Sequence, residues 1–524
     1  MTVADLLPGQ ISPLYAVLAL LSVLVGGFAV LSRSGSALPA KAPKLIRGWP
    51  IVGSWDFWSR RVDFHTENSS RSKSGSFTYF VGPMPVIALS GEQGRRVFFD
   101  SHRLDLGKGY EGLFAGSPPV KPPTGKGGMV ENPEDSASKH FIKRLTAMTK
   151  RDQFLRCLPL LIHDTRDRLQ DLVSSPSDIV DPFNDIYRIV FLLTMRTVAC
   201  NEAAEDKDML NTLLSLYETV EAAMTPTIVM YPGLPSLSKL QRLYGGGRIY
   251  LIFDKIVKAR KDAGRREDDA LQYLMDLGDN TVQIISSDRI QFIMGALFAG
   301  LINSGINAAW ILVYLAAHPE WREACRREIE AMADKYEPDR SKTLADRLAN
   351  VPLEGWENEF PIADACLRES IRLNVNGTVF RQNTSGAPIP IGDGEVIPPD
   401  FYATYPMVDI HRDPHVYPDP TRWDPSRYVN LDGTPATGPH SISQTSKGVT
   451  HPFIGWGVSR HPCLGMRFAK LEQNIIVAFF MAYFDFELAY PEKGVPENDY
   501  NAGSAQKPKE KAWIRYKVRS ETKA

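Results

Sequence analysis

Hydrophobic and polar positions alternate on different scales along this chain. Residues 14–31 (LYAVLALLSVLVGGFAVL) form an uncharged apolar run long enough to cross a bilayer as a helix. Asp5 is the only charge before it, whereas Arg33, Lys41, Lys44 and Arg47 follow, so the positive-inside rule leaves the body on the cytosolic side. A cleaved signal peptide would need a basic start and a shorter apolar core. Residues 43–53 (PKLIRGWPIVG) read as a stiff connector that holds the body at a fixed angle to the membrane. Two strand-length runs, 76–81 and 85–89, flank Gly82-Pro83 and predict a hairpin. Helical periodicity dominates thereafter. Residues 104–135 lack periodicity and are rich in Gly and Pro, which predicts a long loop, either disordered or part of a ligand site. Residues 289–317 predict one helix of roughly 40 Å, with Ser286, Ser287 and Asp288 as caps and a stop at His318-Pro319. The chain therefore divides into a membrane anchor (1–33), a Pro/Gly-rich connector (34–53) and a mostly helical body (54–524).

Composition narrows the class without naming a chemistry. With 524 residues, 43% hydrophobic, 23% charged and a net charge of −1, the body is one very large domain or two ordinary ones. No basic surplus points to nucleic acid. Of five cysteines, Cys157, Cys200, Cys325 and Cys366 lie in helical segments without Cys-x-x-Cys spacing and read as reduced packing residues of a cytosol-facing protein.

Cys463 is different. It sits in residues 453–469 (FIGWGVSRHPCLGMRFA), where Gly455, Gly457 and Gly465 allow a loop to wrap a sulfur. A helix opening at Leu464 should lower the thiol pKa through its dipole. That is what a thiolate ligand to haem iron needs, although a lone cysteine more often only packs. A zinc site from His451, His461 and Cys463 would lack a second ligand pair at zinc spacing.

Polar residues elsewhere interrupt apolar helices. Gly300, Asn303, Ser304, Gly305 and Asn307 lie midway in the long helix, where they cost stability unless something polar or bulky lies against them. The plainer alternative is that Asn303 and Asn307 bond neighbouring backbone. Glu369 and Arg372 share a helix face. Trp423-Asp-Pro425-Ser-Arg427-Tyr428 brings a second arginine, so that one carboxylate can lock two distant segments.

These motifs together resemble the cytochrome P450 family, and the resemblance spans essentially the whole chain. It implies a mainly α triangular prism with a small β lobe, preceded by an N-terminal transmembrane helix. It also implies haem b between the long helix and the Cys loop, with Cys463 as axial thiolate and metal ligand, Gly457 and Gly465 shaping the loop, and Glu369, Arg372 and Arg427 as structural triad. A thiolate opposite bound oxygen favours O–O cleavage. His461 and Arg381 occupy places from which family members reach a haem propionate. The family's Trp-x-x-x-Arg spacing reads here as His140 and Arg144, with Lys143 an equal candidate. Two departures stand out: Ser459 replaces a glycine, and Phe453 lies ten residues before the cysteine rather than seven, which implies a lengthened loop.

Within the family, residues 225–235 and Asn307-Ala-Ala-Trp310 are similar to the sterol 14α-demethylase branch, while the Cys loop resembles fungal specialised-metabolism members. The implied enzyme is a monooxygenase that oxidises a lipophilic intermediate of such a pathway, using oxygen and electrons from an NADPH-dependent reductase at the endoplasmic reticulum membrane. Arg460, Arg467, Lys470, Lys150 and Arg151 would offer the reductase a basic face. Tyr110, Leu113, Phe114, Ala299, Gly300 and residues 225–231 would line the substrate pocket. The family's long helix offers a polar or acidic residue followed by threonine, whereas this chain has Ile302 and Asn303. Asn303 can hydrogen-bond oxygen but cannot act as an acid. Either Asn303, Ser304 and ordered water deliver protons for hydroxylation or epoxidation, or the reaction is atypical: ring rearrangement, desaturation or phenol coupling. A non-catalytic haem sensor is the reading from another class. Asn376-Gly-Thr378 and Asn383-Thr-Ser385 match glycosylation acceptors.

Overall fold

The computed structural model describes residues 38–114, 137–280, 286–503 and 505–519. The predicted anchor (1–33) and most of the predicted 104–135 loop lie outside these residues.

Extended segments form a small lobe. Strands β1 (Phe77–Val81) and β2 (Met84–Ala88) make the predicted hairpin, with Phe77 opposite Ala88. Strands β3 (Leu104–Asp105), β4 (Ile179–Val180), β5 (Thr378–Asn383), β6 (Ile389–Gly392), β7 (Glu395–Ile397), β8 (Tyr402–Pro406), β9 (Phe484–Leu488) and β10 (Ile514–Val518) follow. The main sheet has the order β1-β2-β8-β5-β3; β4, β10 and β9 form a second sheet and β6–β7 a ribbon. The connector is pinned to this lobe rather than standing free as a spacer. Ile46 N–H donates to Thr78 O at 2.8 Å, and Ser54 N–H to Phe80 O at 2.7 Å.

The helices that build the site are α1 (Leu106–Leu113), α2 (Ala137–Met148), α3 (Arg151–Val173), α4 (Pro182–Val198), α5 (Lys207–Ala222), α6 (Pro226–Met230), α7 (Leu237–Asp262), α8 (Ser286–Ala317), α9 (Pro361–Asn374) and α10 (Met466–Tyr483). The loop expected over 104–135 is corrected at its start, where β3 and α1 form. Asp105 caps α1 by accepting from Lys108 N–H at 2.7 Å, a short-range signal that a count of Gly residues hides.

Helix α8 is the axis of the body. Its 32 residues extend roughly 48 Å at about 1.5 Å each. Among the described residues it contains the one segment long and apolar enough to cross a membrane, yet 78% of that segment's most apolar window is buried inside the protein. The trio expected as caps lies in its first turn. Helices α4, α9 and α10 pack against it. Bulk does lie against its glycines: a Cβ on Gly305 would come within 2.5 Å of the Tyr187 ring, and one on Gly300 within 3.2 Å of Thr194 Cγ2. Trp310 is fully buried in the large core that these helices share.

Candidate active site

The locked centre is Glu369 on α9. Its fully buried carboxylate accepts Arg372 Nε–H at 2.8 Å and Arg372 Nη2–H at 2.7 Å. Arg427 Nε–H reaches it at 3.2 Å, Tyr428 O–H at 3.2 Å and Asp424 N–H at 3.0 Å. The remaining Arg372 hydrogens go to the carbonyls of His411, Pro420 and Arg422. One carboxylate thus clamps α9 to the turn before the Cys loop, and the fork of Arg372 is satisfied in full. Trp423 extends the clamp: its indole N–H donates to Ser370 Oγ at 3.1 Å and its ring stacks on Tyr314 of α8 at 5.0 Å.

From this clamp the chain runs into the Cys loop. His411 Nε2 accepts Ile454 N–H at 3.0 Å, and its ring stacks on Phe453. Burial, with Arg372 and Arg368 nearby, pushes its imidazole down to about 3, so it stays a neutral acceptor. The expectation of a lengthened loop is corrected here. Trp456, seven residues before the cysteine, is the aromatic whose carbonyl accepts Cys463 N–H, at 2.6 Å, while Phe453 belongs to the preceding layer. Gly457 has φ +65°, and a Cβ there would lie 2.3 Å from His461 O, so the tight turn needs glycine. Ser459 also takes a positive φ of 55°, and its hydroxyl bonds Asp100, which ties the loop to the β lobe.

Cys463 is the exposed one of the five cysteines. Part of its surface is open, but the remainder is surrounded closely enough that burial pushes the thiol up, against the backbone N–H groups of Gly465 and Met466, which bond the sulfur. The expected lowering is therefore outweighed, because α10 begins only at Met466 and desolvation disfavours an unpaired thiolate. A cation would reverse that balance. The other four cysteines are buried, with Cys325 and Cys366 sulfurs 4.0 Å apart. Among the described residues no group of three or more His, Cys, Asp or Glu could hold a metal ion, and His451 is engaged with Asp100.

Opposite charges for an anionic group are also present. Arg381 on β5 is buried, and desolvation lowers its guanidinium to about 10. Among the described residues no ion pair holds it; it donates to Phe380 O at 2.8 Å and lies over the Phe98 ring. His461 is half-buried, and burial together with the charge of Arg381 lowers its imidazole. On α2, Lys143 is exposed, whereas Arg144 is half-buried with its guanidinium 6.0 Å from the Phe292 ring on α8. An accessible sulfur on a glycine-shaped loop and a buried arginine without a carboxylate suit an iron macrocycle carrying acidic side groups.

One stripe of α8 is open although its neighbours are buried. Ala299 and Asn303, one turn apart, are exposed, while Gly300 is half-buried and Ser304 nearly closed off. Asn307 follows the plainer reading, donating to Asn303 O at 2.8 Å. Beside the stripe, Phe298 meets Phe114 at 5.7 Å; Phe114 meets Tyr110, and Tyr110 packs on Phe380 at 5.4 Å. Helix α1 reaches β5 because a Cβ on Gly109 would lie 2.4 Å from Arg381 Cα. Leu113 is buried in the β lobe with Val229 and Met230 of α6, so these three serve packing rather than an open pocket.

The expected basic face is largely neutralised. Arg467 pairs with Glu357, Lys470 with Asp364 and Arg151 with Glu354; Arg460 and Lys150 remain exposed. Both glycosylation matches are buried at Asn376 and Asn383, so the folded chain hides them. Sequence reading missed Trp456, Phe298 and above all Glu472, a fully buried acid on α10. The signal available for Glu472 was a polar Glu-Gln-Asn trio in the middle of α10, just before the apolar run that starts at Ile475.

The family model described as Cytochrome P450 matches residues 43–515. Cytochrome P450 monooxygenase AacuE of Aspergillus aculeatus is 32% identical over 86% of this chain and 87% of its own length. Cytochrome P450 monooxygenase nsrP of Aspergillus novofumigatus is 31% identical over 91% and 90%. Obtusifoliol 14-alpha demethylase of Sorghum bicolor is 23% identical over 90% and 89%. The solved structure of retinoic acid bound cyanobacterial CYP120A1 shares the fold, with a TM-score of 0.69 at 19% identity over 92% of this chain and 100% of that one. A cysteine loop that follows the Glu369 clamp and a match over most of the chain agree: the chain belongs to the cytochrome P450 family of haem-thiolate monooxygenases, with Cys463 in the place of the thiolate ligand to haem b.

Proposed function

We propose that this enzyme oxidises a lipophilic intermediate of a fungal specialised-metabolite pathway, with electrons from an NADPH-dependent membrane reductase. The observation that carries the reading is the level of identity: 32% and 31% to two Aspergillus monooxygenases, against 23% to a sterol demethylase of equal coverage.

Haem bound at Cys463 supplies oxygen activation and the oxidising power for a C–H or C=C bond. The chain's own residues do the rest. Gly465 and Met466 N–H groups bond the sulfur, and the Glu369 clamp fixes the loop that carries it. Arg381 and His461 would hold the haem's acidic side groups, with Arg144 favoured over the exposed Lys143. Ala299 and Asn303 border the reacting face, and Tyr110, Phe114, Phe298 and Phe380 wall it with aromatic surface, which excludes water and suits a flat apolar guest.

Membrane attachment has a second support besides residues 14–31. Trp49 and Ile51 of the connector and the neighbouring Trp55 are exposed, as are Leu234 and, at the start of α7, Leu237 and Leu240. Tyr231 O–H donates to Ile51 O at 2.5 Å and joins the two groups. An exposed apolar face of this kind marks a contact surface, and aromatic residues suit the membrane interface.

The atypical reading, radical rearrangement or phenol coupling, is favoured by Ile302 and Asn303, which offer no acid on the open stripe. A titration of the purified haem protein with sterols, terpenoids, polyketides and cyclic dipeptides, followed by the Soret shift, tests the assignment. A saturable shift with a non-sterol scaffold is expected; a shift with sterols alone contradicts it.

A further inference from the structure

Backbone strain in the Cys loop converges on one carboxylate. Between residues 451 and 463 two residues other than glycine take left-handed backbone, His451 at φ 51° and Ser459 at φ 55°. A residue with a Cβ stays in that conformation only where its surroundings hold it. Both side chains end on Asp100. His451 Nε2 lies 2.8 Å from Asp100 Oδ1, and because a carboxylate can only accept, the imidazole donates. The Ser459 hydroxyl bonds the same carboxylate. The stretch from His451 to Ser459 is therefore closed at both ends on a residue from far earlier in the chain.

Asp100 ends a helix, Gly91–Asp100, one side of which is given over to this loop. Glu92, Arg95, Arg96, Phe99 and Asp100 share that side at helical spacing. Arg95 Nε–H donates to Thr450 O at 2.6 Å, Arg96 Nη2–H to Thr450 Oγ1 at 3.2 Å, and Thr450 Oγ1–H to Glu92 Oε1 at 3.1 Å. Phe99 meets the His451 ring edge-on at 6.0 Å and shares an apolar core with Ile454, against which Val458 packs. Between the two latched residues lies Trp456, whose carbonyl accepts Cys463 N–H at 2.6 Å. The arm that steadies the cysteine is thus shaped from the helix.

We propose that Asp100 is a positioning residue for the haem thiolate: by holding His451 and Ser459 in left-handed backbone it does for this chain what a glycine at position 459 does in the family pattern. A glycine takes such a φ without strain but leaves the arm free to take others. A serine latched to Asp100 keeps one conformation, which holds Trp456 O in place for Cys463 N–H. Asp100 touches neither sulfur nor substrate and acts through Ser459 and His451. The two positions are therefore coupled: serine is tolerated at 459 because an acid stands at 100, and the acid matters to the sulfur because 459 is not glycine. The inference uses the haem-thiolate assignment and is independent of which substrate the enzyme takes.

Asp100→Ala in the full-length haem protein tests the latch. In mild denaturant the thiolate-type Soret band of its reduced carbon-monoxide complex should decay roughly fivefold faster than in the wild type, the upper end for loss of a partly exposed ion pair. Amide hydrogen exchange should rise across residues 450–463 and stay at the wild-type level in α9. Asp100→Asn keeps an acceptor for Ser459 without the charge and should fall between the two. Ser459→Gly separates positioning from a general loss of stability. In that background Asp100→Ala should speed the decay by only about twofold, the share left to His451, because the two sites are coupled. No acceleration in Asp100→Ala, equal acceleration in both backgrounds, or exchange that rises in α9 as much as in the loop overturns the proposal. A wild-type protein with no thiolate band overturns the haem-thiolate assignment itself, and the proposal with it.

Discussion

Glu369 and Glu472 are equally buried and live in opposite electrostatic worlds. Glu369 receives two arginines, a tyrosine hydroxyl and a backbone N–H, and its charge organises α9, the turn at Pro425 and the approach to the Cys loop. Glu472 receives two hydroxyls and keeps one oxygen unpartnered. Burial alone therefore says little about a carboxylate. The partners decide whether it is a fixed anion that holds structure together or a neutral acid free to give up a proton.

The largest effect should come from breaking the anion. Glu369→Gln leaves Arg372 and Arg427 buried with no compensating charge, and removing one partner of such a network costs about 3–5 kcal/mol. Chemical denaturation of the variant should show that loss together with failure to retain haem. The same substitution at Glu472 removes no charge and should change stability by less than about 1 kcal/mol at acidic pH.

Raising the pH should then separate the two sites further. The folded pKa of Glu472 lies above its ordinary value of 4.5, so above pH 4.5 the unfolded chain sheds this proton while the folded chain keeps it. Its contribution to stability is whole below pH 4.5 and is lost as pH rises toward the folded pKa. Glutamine does not titrate, so Glu472→Gln should gain on the wild type by about 1.4 kcal/mol per pH unit across that window. Denaturation midpoints at several pH values measure it, and a flat difference would show that Glu472 is ionised in the fold.

The contrast also explains what could be read in the sequence. The hairpin, the long helix and the Glu369 clamp were legible because each depends on local periodicity or on a fixed spacing of charges, as with Glu369 and Arg372 three residues apart. Helix α1 was not, since Gly107, Gly109 and Gly112 lower helix propensity; its cap at Asp105 and its close packing on Arg381 override that cost. Trp456 was passed over because Phe453 drew the spacing count, and only the Cys463 N–H bond reveals which aromatic shapes the loop. Glu472 was hidden for a deeper reason. Its meaning comes from Thr194 and Ser304 on two other helices, and no pattern within α10 encodes them. The thiol pKa of Cys463 was misjudged on the same ground, because the helix dipole is a local feature and desolvation is a property of the whole fold.

The central claim, that the Glu369 clamp presents Cys463 as the thiolate of a haem site, is tested most directly by the reduced carbon-monoxide difference spectrum of the purified protein. The account predicts the strongly red-shifted Soret band of a thiolate-ligated haem in the wild type and its loss in Cys463→Ala with the fold retained. A wild-type band typical of a nitrogen-ligated haem, or a thiolate band that survives Cys463→Ala, would contradict it.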